Sequence, residues 1–395
     1  MKILSFIPDY RIEASNVTVE LTYKEYLKFA EHLLMSNEFQ RKKVIKGKVR
    51  SMLKDDLKIG CTFPPIVIAV NSDQIKSDFV FKEFNSSEQV ELWIHNKEII
   101  LLDGLQRTSI MKEVEKELIG EDLSFFYNQK LRLEVLVGLS RINILYRMLT
   151  LNTGQTTMSV RHLMEIMYID YPRDPIPNVF LITDLDNKKI DPENPNEYSF
   201  KDVLDGFYSL LEGKEYTINK AEILDNISVI ESIGQLNKDS DLFGDFFKMY
   251  HNLLRVLSEK SNRVILNLDE IEIPEMKIKG KNVSGNSFLS LFKKSQAFSG
   301  FGAAVNKLGK IESEIFFKIE KGINNIKIGS PDRTLYTINY HLDKIKQLSK
   351  KIGNDQRYYY MLLFKFLFNK ANEETYLNLE KASEFAFNYT RLEKL

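Results

Sequence analysis

The chain has 395 residues, 43% hydrophobic and 28% charged, proportions that exclude a wholly disordered or fibrous protein and, at about 100–200 residues per domain, leave room for two domains. Its 55 basic and 55 acidic residues cancel, which excludes a strongly basic nucleic-acid footprint over the whole chain but not a local patch. A single cysteine, Cys61, excludes an internal disulfide and suits a reducing compartment.

In chain order, Met1 to Ile7 lacks the apolar core and cleavage pattern of a signal peptide, and a cytoplasmic location is the expectation. Thr22 followed three residues later by Glu25 is a capping-box pattern. Tyr23, Tyr26, Leu27, Ala30, Leu33 and Leu34 then recur at helical spacing. A second helix is expected over the basic stretch 41–58, with Val44, Val49, Met52, Leu53 and Leu57 apolar and Gly60 as its stop. The cations of that stretch include Arg41, Lys42, Lys43, Lys46, Lys48 and Arg50, opposed only by Asp55 and Asp56. They read either as a solvated helix face or as a surface that meets DNA phosphates. Pro65 to Val70 is short and β-branched, the mark of a strand covered on both faces. Leu92–Ile94 and Glu98–Leu102 read as two strands around a polar turn. A helix from Gln106 to Leu118, a strand over Leu131–Val137 and helices near 140–149 and 159–168 follow.

Five of the ten prolines fall between Pro172 and Pro195, together with Asp184, Asp186, Asp191 and Glu193, so residues 172–198 are expected to be a linker. Beyond it the patterning is mostly helical: 200–211, 242–258, 288–298, 311–326, 337–352 and 357–368, with an extended pair expected around Pro274. The most apolar run, Tyr358 to Phe368, is far short of the roughly 18–20 residues that span a bilayer, and reads as a buried helix.

Several chemistries lack their residues. The five histidines are scattered, so no metal site is expected, and no Gly-x-x-x-x-Gly-Lys-Ser/Thr phosphate loop occurs. Asp269 with Glu275-Met276-Lys277 has the elements of a two-carboxylate nuclease at too short a spacing. Lys293-Lys294 and Lys277-Lys279-Lys281 read as solvated faces.

The segment Ile99 to Arg107 runs strand, tight turn, helix start. Backbone N–H groups at such a helix N-terminus can face an anion, and Arg107 can add a forked, permanently charged donor. Asp103 can cap the helix or hold a divalent cation, and a purely structural Asp-Gly turn stands beside both readings.

Four landmarks occur in order: Phe63-Pro64-Pro65-Ile66-Val67 after a basic helix, Asp103-Gly104-Leu105-Gln106-Arg107 at a strand end, the Leu131–Val137 strand, and Leu151-Asn152-Thr153-Gly154-Gln155 with Ser159 after it. Over residues 40–170 this order resembles the ParB-like superfamily, in particular DGQHR-domain proteins, DndB-type members and GmrSD-type restriction subunits. The resemblance implies an α+β fold, with a ParB-like domain (1–171) of a small mixed sheet and flanking helices before a mostly α-helical domain (199–395). It implies a DNA-associated protein of genome modification or defence. The turn would bind nucleotide or DNA phosphate through Gly104, Arg107, Ser109, Asn152 and Thr153, with Asp103, Gln106 and Arg107 as catalytic candidates.

If the turn hydrolysed nucleoside triphosphates, the cofactor would be Mg2+ with the nucleotide; an inert regulatory protein would need none. Leu105 stands where the family carries a glutamine, and leucine can neither donate nor accept a hydrogen bond. The partners expected are DNA, a protein contacting the helical domain, or a second copy of the chain, with no membrane.

Overall fold

The alternation Val17, Val19, Leu21 puts one apolar side chain in two on the same face of a strand, and the chain exploits it from its first residues. A computed structural model describes residues 1–10, 14–35, 47–70, 90, 94, 99–139, 143–144, 147–148, 151, 176–183, 186, 188–215, 242–267, 276–278, 283–311 and 314–395. The chain divides into two compact units, Met1–Met158 with Glu222–Ile230, and Ser159–Ala221 with Glu231–Leu395.

The first unit is built on a mixed sheet of five strands, β1 (Lys2–Asp9), β2 (Ala14–Thr22), β3 (Ile66–Val70), β4 (Ile99–Asp103) and β5 (Lys130–Val137). Their spatial order is β1-β2-β5-β3-β4, with only β3 and β5 parallel. Register places Val17 beside Val135 and Ile68 beside both Val135 and Leu101, so one face is continuously apolar. Helices α1 (Tyr23–Met35), α2 (Lys48–Ile59), α3 (Leu105–Glu117) and α4 (Gly120–Asn128) supply the remaining core through Tyr26, Leu57, Met111 and Phe126. Each such buried side chain contributes about 1.5–3 kcal/mol.

Local rules account for much of this. The capping box at Thr22 forms: Glu25 accepts from the Thr22 N–H at 2.7 Å, and the Glu25 N–H donates to Thr22 Oγ1 at 3.2 Å. Gly60 ends α2 in the left-handed region at φ 99°. All five residues of β3 are buried, as a strand between two neighbours requires. The β1–β2 pair and α4 were not among the expected elements. The strand expected at Leu92–Ile94 is corrected at its end, where Ile94 is helical and buried like Val90 four residues earlier. Four-residue spacing places both side chains on one face of a helix. The helix expected at 159–168 lies outside the described residues.

The second unit starts at Ser159, and its first described strand falls within the expected linker. β6 (Phe180–Ile182) and β7 (Glu197–Ser199) pair in parallel, and Tyr198 is buried. Among the described residues eight helices follow: α5 (Phe200–Glu212), α6 (Leu242–Lys260), α7 (Phe288–Phe292), α8 (Ser295–Gly309), α9 (Ile315–Ile323), α10 (Pro331–Leu348), α11 (Ile352–Phe368) and α12 (Leu379–Lys394). The expected helix 288–298 breaks at Lys293–Lys294, where Lys294 is extended at ψ 148°. Lys293 is also corrected. It is only partly exposed, its Nζ donates to the Asn194 carbonyl and lies 4.9 Å from the Tyr198 ring centre, and burial lowers its pKa to about 8. The run Tyr358–Phe368 does form a buried helix, with Tyr360, Phe364 and Phe368 in an aromatic core shared with Tyr250, Phe298 and Phe301. No described helix is long and apolar enough to cross a membrane.

Candidate functional site: the Asp103–Arg107 turn

β4 ends at Asp103, Gly104 turns the chain at φ 109°, and α3 begins at Leu105. A Cβ at Gly104 would sit 3.0 Å from Ile66 Cγ2 of β3, so both the angle and the packing call for glycine. The first helical bond runs from Thr108 N–H to the Gly104 carbonyl at 2.9 Å, and Thr108 Oγ1 donates to the same oxygen at 3.0 Å. Tyr26 of α1 lies 2.6 Å from Thr108 Oγ1, both residues being fully buried. Burial holds the Tyr26 phenol well above the ordinary tyrosine range, so this contact stays a neutral hydrogen bond.

Arg107 spans the site. Its Nη2 donates to Asp103 Oδ2 at 2.6 Å, its Nη1 donates to the carbonyls of Pro64 and, at 3.1 Å, Pro65, and its guanidinium carbon lies 5.7 Å from the Phe63 ring centre. Asp103 therefore does not cap α3 with its side chain; Gly104 occupies the N-cap position without a side-chain bond. Two of the four landmarks, Phe63–Val67 and Asp103–Arg107, are thereby joined through one side chain.

The other candidates divide. Gln106 and Ser109 lie in the first two turns of α3 and are partly exposed. Asn152, Thr153, Arg41, Lys42, Lys43 and Lys46 lie outside the described residues. Lys48 opens α2, and Arg50 of α2 pairs with Glu113 of α3. One and two turns further on, Lys54 and Lys58 both reach Glu117, whose carboxyl is held below its usual range first by Lys54 and then by Lys58. Along this face the cations of α2 are answered by α3, which sequence reasoning missed. The signal was the pair of glutamates at 113 and 117, one helical turn apart.

The turn as it stands does not fit a protein-held metal ion. Asp103 is its one carboxylate and is already salt-bridged to Arg107. Among the described residues no group of three His, Cys, Asp or Glu side chains converges. Leu105 packs against the hydrophobic core of the first unit. Cys61 is partly buried and its thiol pKa is raised, chiefly by burial, which suits a packing residue. No family model, no curated protein and no solved structure matches the chain.

Proposed function

We propose that the chain is a DNA-associated protein of a genome modification or defence system, and that its first unit binds a phosphate group of nucleotide or DNA at the start of α3. The observation that carries this reading is the Arg107 clamp, which fixes the strand–turn–helix by tying Asp103 to the Pro64–Pro65 carbonyls. A fixed turn presents the first N–H groups of α3 in one geometry, and the positive end of the helix dipole favours an anion there. Arg107 acts as a positioning residue, because three of its hydrogen bonds go to the protein itself.

Hydrolysis has less support. Leu105 faces the core, and Asp103 would have to give up Arg107 to reach a cation. A regulatory or scaffolding role remains the second reading, favoured by the α2–α3 ion pairs that neutralise part of the basic face.

The test incubates the full chain with ATP, GTP and CTP plus Mg2+, with and without duplex DNA, reading both binding and phosphate release. Binding without turnover, lost in Arg107→Ala and weakened in Gln106→Ala, is the expected result. Turnover abolished by Arg107→Ala would promote the nucleoside triphosphatase reading. Absence of nucleotide and DNA binding would leave the scaffold reading alone.

A further inference from the structure

The second unit holds a cavity of about 290 Å3, bounded by α10, the starts of α8 and α11, and the segment around Ser284. That is near the lower end of the roughly 300–1,000 Å3 range of small-molecule sites. Its wall is fixed by Asn339, which donates to the carbonyls of Gly285 at 2.9 Å and Leu335 at 3.0 Å. The same side chain accepts from the Ser284 N–H at 2.8 Å and the Gly285 N–H at 3.2 Å.

Two lysines from different helices line this cavity, Lys294 at the N-cap of α8 and Lys346 in the last turn of α10. Both residues are exposed to solvent, and neither ammonium has a hydrogen-bonding or ion-pair partner among the described residues. Partial desolvation beside the cavity, and after it the charge of Lys346, holds the exposed Lys294 ammonium below the ordinary lysine range. An anion placed with both would relieve that repulsion, and the positive end of the α8 dipole adds to the attraction.

The rest of the lining selects further. Gln296 and Gln356 offer amides, and the buried ring of Tyr360 offers an apolar surface. Asp343 contributes a carboxylate, an acceptor-only group that takes an N–H from Gln347 at 2.6 Å and matches hydroxyl donors in kind. That carboxylate disfavours a second anionic group and favours a ligand with hydroxyls beside a single anionic end.

We propose that this cavity binds a sugar phosphate monoester, free or as part of a mononucleotide, with the phosphate at Lys294 and Lys346 and the hydroxyls toward Asp343.

Calorimetric titration of the full chain with ribose 5-phosphate, AMP, ribose and adenosine tests this. The same titrations on Arg107→Ala, where the turn of the first unit is disabled, separate the two sites. Phosphate-dependent binding that persists in Arg107→Ala and falls about tenfold in Lys294→Gln and in Lys346→Gln is expected, the loss of a charge-assisted hydrogen bond being of that size. Tighter binding of AMP than of ribose 5-phosphate would identify a mononucleotide, and equal binding a plain sugar phosphate. No binding of either phosphate, binding indifferent to both lysine substitutions, or binding lost in Arg107→Ala would overturn the proposal. If a lysine variant changes the thermal transition, acylation of the wild-type protein decides. AMP should protect Lys294 from an amine reagent, and absence of protection overturns the site.

Discussion

At the scale of single residues, Gly104 and His341 carry the sharpest consequences. Gly104→Ala forces a Cβ into the left-handed region and against Ile66, and should destabilise the first unit by about 1–3 kcal/mol. Urea denaturation measures it, and an unchanged midpoint would show that the turn relaxes freely. His341 is buried, stacked on Phe387 with ring centres 4.3 Å apart, and its Nδ1 lies 3.2 Å from the Tyr359 hydroxyl. Burial lowers its pKa from 6.5 to about 3. The unfolded chain therefore takes up a proton near 6.5 that the folded chain refuses until about 3. Stability is fully present above the upper value and is lost as pH falls through this window, approaching about 1.4 kcal/mol per pH unit. His251 shifts the same way, through burial first and then Arg255 and Lys293, and adds to the slope. Unfolding curves between about pH 7.5 and 5 should steepen accordingly, and His341→Gln should flatten them in part. An unaltered slope in that variant would mean that His341 is already protonated in the fold.

At the scale of elements, α5 and α8 pack so closely that a Cβ at Gly302 would lie 2.0 Å from the Gly206 carbonyl oxygen. Gly300, on the same helix, meets the backbone of α11 at Met361 and Tyr360. Backbone cannot yield as a flexible side-chain tip can, so Gly302→Ala should cost about 3 kcal/mol or more. Circular dichroism of the variant should show a markedly lower melting temperature; retention of the wild-type value would require α5 and α8 to separate without penalty.

Element identity was legible wherever the pattern was local. The Thr22–Glu25 cap, Gly60 and the all-apolar β3 were readable because each depends on neighbours within a few residues. The period-two pattern of Val17, Val19 and Leu21 was equally present and passed over, so β1 and β2 were not foreseen. The break at Lys293–Lys294 was not legible, because Ser295 Oγ is held by Asp205, 90 residues earlier, and by Arg357, 62 residues later.

For the whole molecule, division into two units with separate apolar cores predicts two unfolding steps. Trp93 is the only tryptophan and stands between β3 and β4 in sequence, whereas most described helical residues belong to the second unit. Trp fluorescence and far-ultraviolet dichroism should therefore give different midpoints in urea. Gly104→Ala should move the first and Gly302→Ala the second; coincident midpoints that shift together in both variants would instead describe one cooperative body.

By itself the sequence determined an α+β chain, the helical character of its second half, and the strand–turn–helix at Asp103–Arg107. Period, capping and glycine chemistry act over a few residues and can be read in one dimension. Only the tertiary structure decided the parallel pairing of β3 with β5, the engagement of Arg107 by Pro64 and Pro65, the neutralisation of Arg50 by Glu113, and the meeting of Lys294 with Lys346 around one cavity. Those partners lie from about forty to more than sixty residues apart, and the free energy that joins them comes from burial of apolar surface, which is non-directional and leaves no local sequence signature.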